Sequence, residues 1–485
     1  MTVSQPPPSA DHADLGVMEA ASLLRSRRLS AVELLAACLR RIEDRNGGTP
    51  TFDGAPDAVN AWARLYPELA EEAASAADQR LDSEREDAPL LCGIPIGVKD
   101  LYAVAGLPLT ASSRVLEENI AGEDCMAWTR LRAQGLVLVG HTHTHEFAAG
   151  GTADQVGNPW ALERAAGGSS GGSAAALAAG MVPVAVGTDI LGSLRIPSAL
   201  CGTSAVKATH GRVPIDGILP LAPTLDHAGP MARTVADCSA LLGALAAGGP
   251  QVSPLLPPPA PLGSLPLKAR TGPRPLEGLT VALTDRSARQ PLDPDVADGL
   301  EGARSACEQL GATVVEHPAP AELPADEMSA VLLTEMWVLH REYADRADHY
   351  RSSIRELAEA AGTATDARAY IRAQQGRAAF TAEWEDWFAD NGVDLVLEPT
   401  VPIVAPVRGE GYDPGHAGGQ GDPLIALTAT WDLTGFPVAA LPVGVGRRDR
   451  LPVGVSLVAP RGAEVSLLEA AIDLQEHALP PARPF

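Results

Sequence analysis

Residues 167–214, GGSSGGSAAALAAGMVPVAVGTDILGSLRIPSALCGTSAVKATHGRVP, decide how the rest of the chain is read. Gly167, Gly168, Gly171 and Gly172 bracket Ser169 and Ser170, so backbone with positive φ can approach whatever occupies that loop. Ser173–Gly180 predicts a helix with almost no side chains, able to pack tightly on a sheet. Val182–Val186 predicts a short buried strand, and Asp189–Arg195 a strand-to-turn element presenting Ser193 beside a row of N–H groups. Paired serine loops and a turn rich in N–H donors suit acyl transfer, which needs an activated hydroxyl and an oxyanion hole. A P-loop is excluded, because Gly172 is followed by Ser173 and Ala174 instead of Lys-Ser/Thr.

Gly167-Gly168-Ser169-Ser170-Gly171 also satisfies G-x-S-x-G, the nucleophile elbow of α/β-hydrolase esterases, and that alternative stands on the pentapeptide alone. The longer pattern decides against it. GGSSGGSAA, GTD, GS-R-IP, the lysine-containing segment ending in GRVP, and TLDHAGPMARTVAD at 224–237 resemble the amidase signature family in order and spacing. So does GIPIGVKD at 93–100. The resemblance is specific in 93–100 and 167–237 and looser over most of the remaining chain.

The resemblance implies an α/β fold, a central and mostly parallel mixed sheet surrounded by helices. It implies Ser193 as nucleophile, Ser169 as a bridging cis-serine and Lys99 as base. The N–H groups of Ile190, Leu191, Gly192 and Ser193 are the expected oxyanion hole, and Ser170, Asp189 and Arg195 the expected supports. No metal or organic cofactor is implied. The expected reaction is cleavage of a C–N bond in a small amide, anilide or carbamate, with esterase or urethanase side activity. The alternatives are a glutaminase A-type subunit of a tRNA-dependent amidotransferase and a non-catalytic binding protein on the same scaffold.

Leu191 departs from the family's glycine. Positive φ at that position would cost leucine roughly 1–2 kcal/mol. With ordinary φ, its side chain would narrow the pocket, which is the outcome expected.

A buried lysine at the end of the apolar run Leu90–Val98 is costly unless paired or neutral, and burial lowers its pKa towards neutrality. His141, His143 and His145 alternate along GHTHTHEF, spacing that could put three rings on one face for a metal. The expectation is that they line or support the site mouth, without a metal.

The chain has 485 residues, 46% of them hydrophobic, and a formal net charge of −24. That charge argues against nucleic acid or anionic membrane as a partner. The partner set expected is therefore a small-molecule amide or carbamate, no nucleic acid and no membrane, with the chain a monomer or homodimer. Six scattered cysteines and the lack of a leader or an apolar run of ~18 residues predict a cytoplasmic location. Residues 1–10 are expected to be a disordered tail, and 11–485 one domain. Within it, 248–274 is expected to be a Pro-rich connector, 325–391 a helical, aromatic-bearing pocket region, and 408–421 a lid. Helices are expected over 16–45, with a Ser30/Glu33 capping box, and over 69–81; a β-α-β unit is expected across 279–315.

Overall fold

The computed structural model describes residues 11–246, 262, 265–364, 367–409, 422–479 and 482–484. The expected tail, most of the Pro-rich connector and nearly all of the lid lie outside them. The described end of the connector is seated, with Leu265 and Leu267 against the core and Arg270 paired to Asp473 at 2.7 Å.

Thirteen strands are present among the described residues: β1 Trp62–Leu65, β2 Pro95–Lys99, β3 Val137–Thr142, β4 Gly157–Asn158, β5 Ala161–Ala165, β6 Val184–Asp189, β7 Ser204–Lys207, β8 His227–Ala232, β9 Thr280–Thr284, β10 Thr313–His317, β11 Leu395–Pro399, β12 Val438–Val445 and β13 Pro452–Val458. β4 and β5 form a small hairpin sheet. The other eleven form one sheet in the order β1-β3-β2-β6-β8-β7-β12-β13-β11-β9-β10, surrounded by helices. The fold is α/β with a mixed sheet, as expected.

The balance of directions differs from the expectation. Four pairings are parallel, β2 with β3 and β6, and β9 with β10 and β11. The other six are antiparallel. A strand covered on both faces reads as an unbroken apolar run whichever way its neighbour points, so such runs report burial and not direction.

Local chemistry sets the elements where it was legible. Ser30 Oγ accepts from Glu33 N at 3.1 Å and Glu33 Oε2 accepts from Ser30 N at 2.9 Å, so the capping box starts the helix Ala31–Arg45 after a break from Val17–Arg25. β9, the helix Pro294–Gln309 and β10 form the expected parallel β-α-β unit. Helices Ala325–His340, Ser352–Ala364 and Ala367–Asn391 fill the expected helical region.

The parallel pair β2 and β6 positions the site. Ile96, Gly97 and Val98 register with Val184, Ala185 and Val186, so Lys99 and Thr188 emerge side by side at the strands' carboxyl ends. The helix Gly171–Ala178 is wholly buried and brings its N-terminal serine loop over those ends.

Candidate active site

Lys99 is fully buried, and its Nζ is hydrogen-bonded with Ser169 Oγ at 2.7 Å, Ser170 Oγ at 2.9 Å and Thr188 Oγ1 at 2.8 Å. Burial lowers its pKa to about 7, against a smaller upward pull from Asp189 and Asp226. A neutral amine has two N–H donors and one lone pair, so three hydroxyls suit it fully, with one of them donating to the nitrogen. That is the protonation state of a base.

Ser169 follows a cis Gly168–Ser169 peptide bond, and its carbonyl accepts from His145 N at 2.9 Å. Its hydroxyl meets Lys99 and not a histidine ring, which removes the α/β-hydrolase elbow. Ser170 ties the loop to β6: Oγ donates to Thr188 O at 3.1 Å and accepts from Thr188 N at 3.3 Å. It also reaches the other serine turn, since Ser170 N donates to Ser193 O at 3.2 Å. Ser193 is buried, with Oγ donating to Ile190 O at 3.2 Å.

The turn carrying Ser193 is laced by Asp189. Oδ1 accepts from Gly192 N at 2.8 Å and Arg195 Nη2 at 2.9 Å; Oδ2 accepts from Leu194 N at 3.1 Å and Arg195 Nε at 2.9 Å. Arg195 continues to Thr428 O at 3.0 Å and Asp432 Oδ2 at 2.5 Å. Burial alone would raise the Asp189 carboxyl, but the Arg195 guanidinium outweighs it and holds Asp189 low. Asp432 goes the other way, pushed up by burial and then by the charge of Asp189.

Two expectations about this turn are corrected. The Gly192 N–H is already committed to Asp189, which leaves Ile190, Leu191 and Ser193 as the candidate oxyanion donors. Leu191 has φ +57 and Gly192 φ +121, so the backbone does take the left-handed region and leucine carries its steric cost there.

The three histidine rings are hydrogen-bonded to neighbouring protein groups. His141 Nδ1 meets Tyr66 OH at 2.9 Å, and His143 meets Ser112 Oγ and Thr51 O, each at 3.0 Å. Burial pushes His143 and His145 down to about 4, so they stay neutral. Among the described residues no group of three His, Cys, Asp or Glu side chains could hold a metal ion.

Sequence reasoning missed Thr188, Thr428 and Asp432. Thr188 had a signal, a polar residue next to Asp189 at a strand end. Thr428 and Asp432 had none, lying more than two hundred residues downstream in TATWD at 428–432. All six cysteines are free and buried, and no described helix is long and apolar enough to cross a membrane.

A family model described as Amidase matches residues 50–468. The chain is 32% identical to the A-type subunit of the glutamyl-tRNA(Gln) amidotransferase of Anaeromyxobacter dehalogenans, over 98% of this chain and 99% of that one. Identity to the corresponding polypeptide from Ralstonia nicotianae is 34%, over 93% and 95%. Among solved structures, 6-aminohexanoate cyclic dimer hydrolase complexed with substrate has a TM-score of 0.81 at 27% identity, covering 98% of this chain and 99% of that one. Native peptide amidase from Stenotrophomonas maltophilia has a TM-score of 0.79 at 25% identity, with 99% of each chain covered.

These relatives overturn the expected partner set of a small molecule alone, without nucleic acid, on a monomer or homodimer. They are named as one subunit of an amidotransferase whose name includes a tRNA. A net charge of −24 bounds what this chain's own surface attracts at long range. It does not bound a reaction divided among subunits.

Proposed function

The chain belongs to the amidase family of C–N hydrolases, and on that premise we propose that it opens a carboxamide through an acyl-enzyme on Ser193, as the A-type subunit of a tRNA-dependent amidotransferase. The observation that carries the chemistry is the buried Lys99 Nζ at 2.7 Å from Ser169 Oγ. Neutral Lys99 takes the Ser169 proton as Ser169 takes that of Ser193, and Ser193 Oγ bonds to the carbonyl carbon. The N–H groups of Ile190, Leu191 and Ser193 hold the oxyanion; removing one such donor typically costs about 2.7–4 kcal/mol. Collapse breaks the C–N bond, and Ser169 returns the proton to the departing nitrogen. Attack by water or another acceptor on the acyl carbon then frees Ser193. From a primary carboxamide the departing nitrogen is ammonia, while the acyl group stays on Ser193 until that second attack.

The names of relatives at 32% and 34% identity support the assembly part of this reading. A second reading, an amidase acting on a larger amide, is favoured by the similarity over nearly the whole chain to the cyclic dimer hydrolase and the peptide amidase. Buried free thiols suit a cytoplasmic setting for either.

Peptide mapping after a fluorophosphonate probe, on wild type and Lys99→Ala, tests the chemistry. An adduct on Ser193 that fades in the variant is expected; an adduct on Ser169 that persists sinks the proposal. Glutamine hydrolysis that requires a co-purifying second polypeptide separates the first reading from the second, which expects amide or anilide turnover by the chain alone.

A further inference from the structure

Thr428 and Leu191 are 237 residues apart in the sequence, yet the Thr428 hydroxyl donates to the Leu191 carbonyl. That carbonyl shares a peptide unit with the Gly192 N–H, which donates to Asp189 Oδ1 at 2.8 Å. A peptide unit is planar, so fixing both its ends fixes its plane. The two flanking peptides carry the Leu191 and Ser193 N–H groups, and their aim follows from that plane.

The two anchors are themselves joined. Arg195 grips Asp189 through Nε and Nη2 at 2.9 Å each and donates through Nη1 to Thr428 O at 3.0 Å. Asp432, one turn on from Thr428, takes Arg195 Nη2 and lies 3.4 Å from His227 Nδ1. The fit is close: a Cβ built on Gly192 would lie 2.5 Å from Thr428 Oγ1. Leu191 at φ +57 is a conformation that persists only where surroundings over-determine it.

We propose that Thr428 is a positioning residue for acyl transfer, its hydroxyl clamping the left-handed Leu191–Gly192 peptide so that the Leu191 and Ser193 N–H groups hold their aim at the oxyanion. The inference rests on the amidohydrolase reading above. Asp189 alone fixes one end of the peptide; Thr428 supplies the second fixed point, from the C-terminal half of the chain.

The test is the rate of Ser193 labelling by a fluorophosphonate probe in the full chain, with the adduct mapped and the thermal midpoint recorded. Thr428→Val keeps shape and loses the donor, and is expected to slow labelling about 100-fold, the scale of a 1 Å misplacement. Thr428→Ser keeps the donor and is expected to stay within about threefold of wild type. In a Leu191→Gly background the left-handed turn no longer strains a side chain, and Thr428→Val is expected to cost about tenfold less. Thr428→Ala reads the same contact if the valine variant does not fold. Labelling at Ser193 that Thr428→Val leaves unchanged overturns the clamp alone, and so does an equal loss in Thr428→Ser. Wild-type labelling that maps away from Ser193 overturns the amidohydrolase reading and the clamp with it.

Discussion

Lys99 Nζ lies 2.7 Å from Ser169 Oγ, fully buried, and its two other hydrogen bonds are also to hydroxyls, those of Ser170 and Thr188. With burial lowering its pKa to about 7, the amine changes charge within the working range of pH. The neutral form is the base, so fluorophosphonate labelling of Ser193 should rise with pH through about 7 and level off above it. Lys99→Met should lower the plateau by about 10²–10⁴-fold, the usual worth of a positioned base, and erase the inflection. An inflection that survives Lys99→Met would assign the titration to another group.

Arg195 is the only cation hydrogen-bonded to both Asp189 and Asp432 among the described residues, and all three are fully buried. Arg195→Met should cost about 3–5 kcal/mol, because it leaves carboxylates buried without their partner. The direction with pH also follows. Burial already raises Asp432, so protonation at low pH relieves the orphaned pair, and the loss should be smaller at pH 5 than at pH 8. Urea unfolding at the two pH values measures it. A pH-independent loss would mean that neither carboxylate takes up a proton to compensate.

The legible part of the fold was local. Ser30 and Glu33 announced a helix start through reciprocal hydrogen bonds, and the apolar run before Lys99 announced a buried strand ending on a charge. Lys99, Ser169 and Ser170 were legible through the resemblance of GIPIGVKD and GGSSGGSAA to the amidase signature, and the structure does bring them within hydrogen-bonding distance. Strand direction was not legible, since β8 and β12 bury both faces in antiparallel pairings. The sign of φ at Leu191 was not legible either. It depends on Thr428 and Asp189 pulling on opposite ends of one peptide, and only folding brings Thr428 there.

Gly187 faces the serine loop. A Cβ at this position would lie 2.6 Å from Ser170 Oγ and 2.8 Å from Leu194 Cδ2. Gly187→Ala should therefore push Ser170 off Lys99 and slow Ser193 labelling, with a stability loss of about 1–3 kcal/mol from overpacking. Labelling kinetics and thermal melting read the two effects. A variant as fast and as stable as wild type would mean that the two loops separate more freely than their hydrogen bonds imply.

Lys207 is the second fully buried lysine, on β7 behind the nucleophile turn, with Nζ donating to Phe436 O at 2.6 Å and lying 3.2 Å from His227 Nε2. Burial lowers its pKa from 10.5 to about 7, with Asp432 pulling it partly back. Between those values the unfolded chain holds the proton and the folded chain does not. Stability contributed through this group therefore rises with pH across that window, by up to about 1.4 kcal/mol per pH unit, and below about pH 7 the slope vanishes because both states are protonated. Lys207→Met removes this group's share of the slope and leaves Phe436 O and His227 Nε2 without their partner, at about 1–3 kcal/mol. The variant should thus compare best with wild type at pH 6, where wild type buries a charge, and worst at pH 9. Urea unfolding of both proteins at pH 6, 7.5 and 9 decides it. A stability difference constant across the three would show that Lys207 keeps an ordinary lysine pKa inside the fold.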